Sequence, residues 1–181
     1  MGGKLAFHPV TPARWDNFAA LFEAPGGPRY CWCMAWRATP TELRTIGKAS
    51  RKPLMHARVE SETTIGLLGY LDGEPIAWVS IAPRETYRDL GGPQAEAGQN
   101  IWSLACMYVQ RKHRGDGHGT ELIEAAKAYA KKRGATLLEA YPVDPDSPSY
   151  RFMGFVPAFD RAGFEPVGTA GSRRHVMRLK L

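Results

Sequence analysis

The sequence predicts a single domain of the α/β (α+β) class, a β-sheet flanked by helices. Three observations predict it. Residues 101–141 read strand, glycine turn, helix, strand; Asp72-Gly73 joins two apolar runs as a hairpin; and no linker, repeat or low-complexity tract divides the 181 residues. A chain of this length buries a sizeable core.

Leu5–Val10 reads as a first strand. Thr11-Pro12 opens a helix through about Glu23, with Thr as N-cap and Pro in the first turn, and Pro25-Gly26-Gly27-Pro28 ends it. Tyr30-Cys31-Trp32-Cys33-Met34-Ala35-Trp36-Arg37 is a dense cluster of aromatic and sulfur side chains. Thr41–Ile46 and Ser50–Ser61 are expected to be helical. Thr64–Leu71 and Glu74–Ala82 form the hairpin around Asp72-Gly73, and Pro83–Asn100, without periodicity, reads as a long loop over the site.

Ile101–Val109 is apolar and rich in β-formers, the pattern of a strand buried on both faces. From Gly119 the apolar positions Leu122, Ile123, Ala126, Tyr129 and Ala130 recur at helical spacing. Lys131, Lys132 and Arg133 suit the C-terminal end of that helix, and Gly134 caps it. Thr136–Tyr141 resumes as a strand stopped by Pro142. Residues 142–148 form a rigid polar connection, Tyr150–Ala162 holds a short helix closed by Gly163, and Arg173 or Arg174 to Leu181 supplies a last strand.

Composition narrows the function. The content is 44% apolar and 23% charged, ordinary for a globular protein, and no apolar run is long enough to span a membrane. Cys31, Cys33 and Cys106 cannot all pair, which fits a reducing compartment, and a cytoplasmic location is expected. Cys31-x-Cys33 has no third and fourth ligand nearby, so no metal is expected. Much of the +6 net charge gathers at Arg111–Arg114 and Lys127–Arg133, flanking the glycine turn. A polyanionic cofactor there accounts for it without nucleic acid.

The turn carries the chemistry. Gly115, Gly117 and Gly119 permit positive φ and remove the Cβ atoms that would hold a ligand off, so successive N–H groups converge on an anion. A helix beginning there adds unpaired donors and partial positive charge, and Arg114 adds a full one. The spacing is neither that of a Walker loop nor the Gly-x-Gly-x-x-Gly dinucleotide fingerprint.

Val109-Gln110-x-x-x-Arg114-x-x-Gly117-x-Gly119 resembles the Arg/Gln-x-x-Gly-x-Gly/Ala signature of the GCN5-related N-acetyltransferase (GNAT) superfamily, and Ala162-Gly163-Phe164 is similar to its late Gly-Phe. The resemblance covers essentially the whole chain, in the order β-α-α-β-β-β-α-β-α-β. It implies a single-domain GNAT fold: a mixed, mostly antiparallel sheet with splayed central parallel strands. It also implies that Arg114, Gly115, Asp116, Gly117, His118, Gly119 and Thr120 hold the pyrophosphate of acetyl-CoA. Met107, Tyr108 and Val109 would lend backbone groups to the acetyl and pantetheine arm, and Asp144 would contact that arm.

The implied activity is acetyl-CoA-dependent N-acetyl transfer, directly to a primary amine of a small molecule or peptide. Such transfer needs an amine base, donors for a developing oxyanion, and a proton for the leaving thiolate. Glu139, the lone charge in an apolar strand, is the expected base, aligning with a glutamate of some family members. The family's usual acid, a Tyr four residues before the final Gly, is here Phe159, so Tyr150 is the expected substitute, with Tyr141 behind it, or else water donates the proton. His113 and Cys106 are expected to have no catalytic part. Trp32, Met34 and Trp36 are expected to line the acceptor cleft, since the family uses this region as a wall. The missing Tyr sustains an alternative, a non-catalytic acyl-CoA-binding regulatory module. The expected partner is the amine substrate, with a homodimer left open and neither nucleic acid nor membrane involved.

Overall fold

The computed structural model describes residues 3–45 and 51–181. Twelve regular elements follow in order: β1 (Ala6–Pro9), α1 (Trp15–Glu23), α2 (Pro40–Thr45), α3 (Arg51–Glu60), β2 (Gly66–Leu71), β3 (Glu74–Pro83), β4 (Ile101–Val109), α4 (His118–Lys132), β5 (Leu137–Ala140), α5 (Val156–Arg161), β6 (Glu165–Ala170) and β7 (Arg174–Lys180). They build one seven-stranded sheet in the order β1-β2-β3-β4-β5-β7-β6. Only β4 and β5 run parallel; every other neighbouring pair is antiparallel. Among the described residues no helix is long and apolar enough to cross a membrane.

Strand alternation gives the sheet two apolar faces. On one, Val79, Ile81, Trp102 and Leu104 pack with Leu122, Ile123, Ala126 and Ala130 of α4 and with Phe159. On the other, Leu68, Tyr70 and Trp78 pack with Phe18 and Phe22 of α1 and Met55 and Val59 of α3. The hairpin at Asp72-Gly73 forms with both turn residues at positive φ, 49° and 85°.

Several boundaries differ from the sequence reading. Pro12–Arg14 is a single 3₁₀ turn, α1 starts at Trp15, and Thr11 makes no side-chain capping bond. The short helix expected within 150–162 is α5, and a 3₁₀ turn, Arg151–Met153, precedes it, set off by Gly154 at φ 86°. The expected ends at Ile46 and Ser50 lie outside the described residues. Strand β6 was not anticipated. It is an edge strand with five of its six residues exposed and a register shift between Pro166 and Gly168, so it shows no apolar alternation.

The centre of the sheet positions the site. Strand β4 pairs with β5 only from Ile101↔Leu137 to Leu104↔Ala140, because Pro142 ends the parallel ladder and turns the chain away. On its other edge β4 bulges: Ser80 pairs with Cys106 and Ile81 with Leu104, leaving Ala105 unpaired. Beyond that point β4 and the chain after β5 part, and the Arg151–Met153 turn packs against β4.

Glu139 of β5 is wholly buried, at 0% exposure, and is held from three sides. Arg178 donates to it at 2.7 Å, Tyr141 at 2.6 Å and Arg84 at 3.3 Å. Both arginines also donate to the Pro93 carbonyl, each at 2.8 Å, and Gly92 lies so close that an added Cβ would meet the carboxylate at 2.2 Å. The carboxylate therefore ties the 83–100 loop to β5 and β7. Glu139→Gln leaves two guanidinium groups without their anion and should lower unfolding stability by about 2–4 kcal/mol in urea titration. A change below about 0.5 kcal/mol would show that the loop is held without it.

Candidate active site

The glycine turn folds as its residue types require. Gly115 and Gly117 take φ of 96° and 87°, Gly117 is the N-cap of α4, and no side chain caps that helix. The Thr120 N–H donates to the Gly117 carbonyl at 3.0 Å, and the His118 and Gly119 N–H groups before it are left for a ligand. A Cβ built on Gly115, Gly117 or Gly119 would meet nothing within 4 Å, so these positions border open space rather than packing. Arg114 lies beside them, its Nε donating to the Val109 carbonyl at 2.9 Å and its guanidinium 5.9 Å from the Tyr108 ring centre. Asp116 and Thr120 are exposed on the same turn.

His118 belongs to the turn by its backbone only. Its ring is buried, with Nδ1 2.9 Å from Glu121 Oε1.

The parting of β4 from β5 supplies the second half of the site. Gln110 N–H donates to the Ile76 carbonyl at 2.9 Å, so in the alternating antiparallel ladder Tyr108 also turns its backbone groups toward β3. Met107 and Val109 turn theirs to the open side, where β5 no longer runs.

A cleft of about 670 Å³ opens there. Met107, Tyr108, Val109 and Arg114 form its cofactor side. Tyr30, Cys31, Cys33, Ala35 and Trp36 face them, and Phe152 and Phe155 close one end. At the floor, Trp78 Nε1 donates to Cys33 Sγ at 3.1 Å. A hydrogen bond from Cys106 holds the Cys33 thiol below its ordinary pKa, and Cys106 is raised in turn by the same bond.

The expected acceptor wall needs correction. Trp36 lines the cleft, but Trp32 and Met34 do not: Trp32 stacks on Phe22 with ring centres 5.4 Å apart, and Met34 is fully buried in the same cluster. The segment turns at Trp32 and Cys33, both at positive φ, so Trp32 and Met34 enter the core while Cys31, Cys33, Ala35 and Trp36 reach the cleft.

Glu139, expected as the base, does not line the cleft and is engaged by Arg84, Arg178 and Tyr141. Asp144 is also outside it, exposed and bonded to His175 at 3.1 Å. Tyr150 stands at the rim, 6.3 Å from the Trp36 ring and under the Arg174 guanidinium at 5.4 Å, without lining the wall. Phe159 is core.

The sequence reading passed over Tyr87, Ser80 and Arg37. Tyr87 and Ser80 line the cleft, and buried Arg37 donates to both, at 2.7 and 2.9 Å. Arg37 was legible as the only charge in its aromatic cluster; Tyr87, within an aperiodic loop, carried no local signal.

The residues present fit a coenzyme A molecule: a side-chain-free cradle at a helix start, with Arg114 beside it, and a strand edge with unpaired donors, Arg114 and the strand edge both lining one cleft. Solved structures share this architecture. The Thermoplasma acidophilum paia N-acetyltransferase in complex with coenzyme A is 16% identical, with 99% of this chain and 100% of that one covered at a TM-score of 0.57. The GNAT domain of S. lividans PAT gives 19%, 99%, 92% and 0.61 in the same order. The ribosomal-protein-alanine N-acetyltransferase of Brucella melitensis gives 17%, 98%, 100% and 0.58. No curated protein sequence matches closely enough to add a relative. Residues 20–155, well over half of the chain, match the family described as Acetyltransferase (GNAT) family, so the chain belongs to the GNAT acetyltransferases, which use acetyl-CoA.

Proposed function

We propose that the protein is an N-acetyltransferase that passes the acetyl group of acetyl-CoA directly to a primary amine of a small molecule or peptide. The observation that carries this reading is that the open edge of β4 and Arg114, which adjoins the glycine turn at the start of α4, line one cleft. Acetyl-CoA supplies the activated acyl group when bound.

The chain's own residues then have separable tasks. Arg114, the N–H groups from Gly115 to Gly119 and the exposed side chain of Thr120 hold the pyrophosphate. Met107 and Val109 N–H groups are the donors for the pantetheine arm and for negative charge developing on a carbonyl oxygen. Trp36, Tyr30 and Phe152 wall the acceptor side and give it apolar surface.

Proton handling falls to what lines the cleft. Burial raises the Tyr108 pKa, so its hydroxyl keeps its proton at neutral pH and is the donor nearest the cofactor side. Among the described residues no carboxylate lines the cleft to take a proton, so the acceptor amine enters neutral, having lost its proton to solvent. The rate should rise with pH through the acceptor's own pKa.

Two variants test the assignment. Gly119 has no positive φ to strain and open space about its Cβ, so Gly119→Val should fold with a nearly unchanged melting temperature yet bind acetyl-CoA at least about tenfold more weakly by calorimetry. Unchanged affinity would remove the turn from the site. Tyr108→Phe deletes only a hydroxyl and should lower kcat by about 10²–10⁴-fold if that group donates the proton. Full activity would assign the proton to water. Acetyl-CoA binding without thiol release across an amine panel would support the regulatory-module alternative instead.

A further inference from the structure

The charge of the cleft is one-sided. Among the described residues Arg51, Arg114 and Arg151 line it, and neither Asp nor Glu does. None of the three arginines has a carboxylate within ion-pair distance among the described residues. Arg114 lies beside the glycine turn. The other two stand apart from it: Arg51 donates to the Tyr30 carbonyl at 2.7 Å, on the wall facing β4, and Arg151 donates to the Pro145 and Ser147 carbonyls at 2.7 and 3.1 Å, next to Phe152.

A fourth cation stands behind the wall. Arg37 is 3% exposed, its guanidinium 4.2 Å from the Tyr87 ring centre. One nitrogen, Nη2, makes all of its hydrogen bonds, to the Ile65 carbonyl, Ser80 Oγ and Tyr87 Oη; Nε and Nη1 are buried without a partner. Ser80 and Tyr87 line the cleft, so this charge sits one side chain from it. The thiols of Cys33 and Cys106 and the Tyr87 hydroxyl are the nearby acidic groups that feel this charge, and none of them is a carboxylate. A buried cation lacking a carboxylate is unusual, because its desolvation is normally offset by a paired anion.

An ammonium group has nothing in this cleft to pair with, and a second cationic group on the acceptor would be repelled by every charge present. An anion is welcomed by two guanidinium groups not engaged by carboxylates, whose planar forks match carboxylate and phosphate oxygens. Resting on the N-acetyltransferase reading, we infer that the acceptor is a small amine that also carries an anionic group, a carboxylate or a phosphate, held between Arg51 and Arg151. Polycationic amines and basic peptides are excluded by the same charges.

The test uses matched pairs on the full chain saturated with coenzyme A, read by calorimetry and, with acetyl-CoA, by thiol release. Phenylalanine against phenylalaninamide probes a carboxylate; O-phosphoethanolamine against ethanolamine probes a phosphate. In at least one pair the anionic member should bind about tenfold or more tightly and show a correspondingly higher kcat/KM. Arg51→Met or Arg151→Met should erase most of that advantage while leaving coenzyme A affinity unchanged. Arg151→Lys, which keeps charge and loses the planar guanidinium whose Nη1 donates to both carbonyls, should retain part of it and so separates charge from local folding. Equal or tighter binding of the uncharged-end member in both pairs overturns the inference, as does measurable binding by none of the four. So does an advantage that survives both Met variants. Coenzyme A binding is read in the same titrations, so a failure of the cofactor assignment registers separately from a failure of the acceptor class.

Discussion

The whole site depends on the point where β4 loses its parallel partner. A parallel ladder satisfies both edges of a central strand, and β4 enjoys that only through Leu104. Past it, the Ala105 bulge re-aims the strand and Pro142 carries the chain after β5 away, so a fully central strand acquires an open edge in the middle of the sheet. Unpaired backbone donors inside a protein are costly unless water or a ligand completes them. A cleft lined by such donors is thus a place where the fold gives up internal hydrogen bonds in exchange for binding. The same strand runs straight into the glycine turn, so the two donor sets are fixed relative to each other by ten residues of continuous chain, from Gln110 to Gly119.

Charge is distributed to protect that arrangement. Glu139, on β5, is saturated by two arginines and a tyrosine, and it anchors the 83–100 loop that carries Tyr87. The acid pairs with its two cations away from the cleft. On the cleft side, Arg51, Arg114 and Arg151 line the wall with Arg37 behind it, and among the described residues no carboxylate lines it. That imbalance suits a polyanionic cofactor, and it constrains what can approach as acceptor.

Much of this was legible because the signals were local. The glycines at 115, 117 and 119, the apolar β4 and the helical repeat of α4 each show in a short window, and they fold as read. The mixed sheet with its central parallel pair is likewise the architecture implied by that motif. What the sequence hid was direction. Trp32, Met34 and Trp36 are chemically alike, and only the positive φ of Trp32 and Cys33 decides that the first two enter the core and the third reaches the cleft. Glu139 stood out as a charge in an apolar strand, but its partners Arg84 and Arg178 come from segments 55 and 39 residues away. Edge strand β6, exposed and interrupted by Pro166 and Gly168, had no alternation to read.

The central claim, that the open edge of β4 is where acetyl-CoA is held, is tested most directly by amide hydrogen exchange at single residues. In the free protein Met107 and Val109 N–H should exchange quickly while Tyr108 and Gln110, bonded to β3, stay protected. Saturating acetyl-CoA should slow Met107 and Val109 markedly and leave the other two unchanged. Equal protection of all four in the free protein, or unchanged exchange at Met107 and Val109 when acetyl-CoA is bound, would contradict the account.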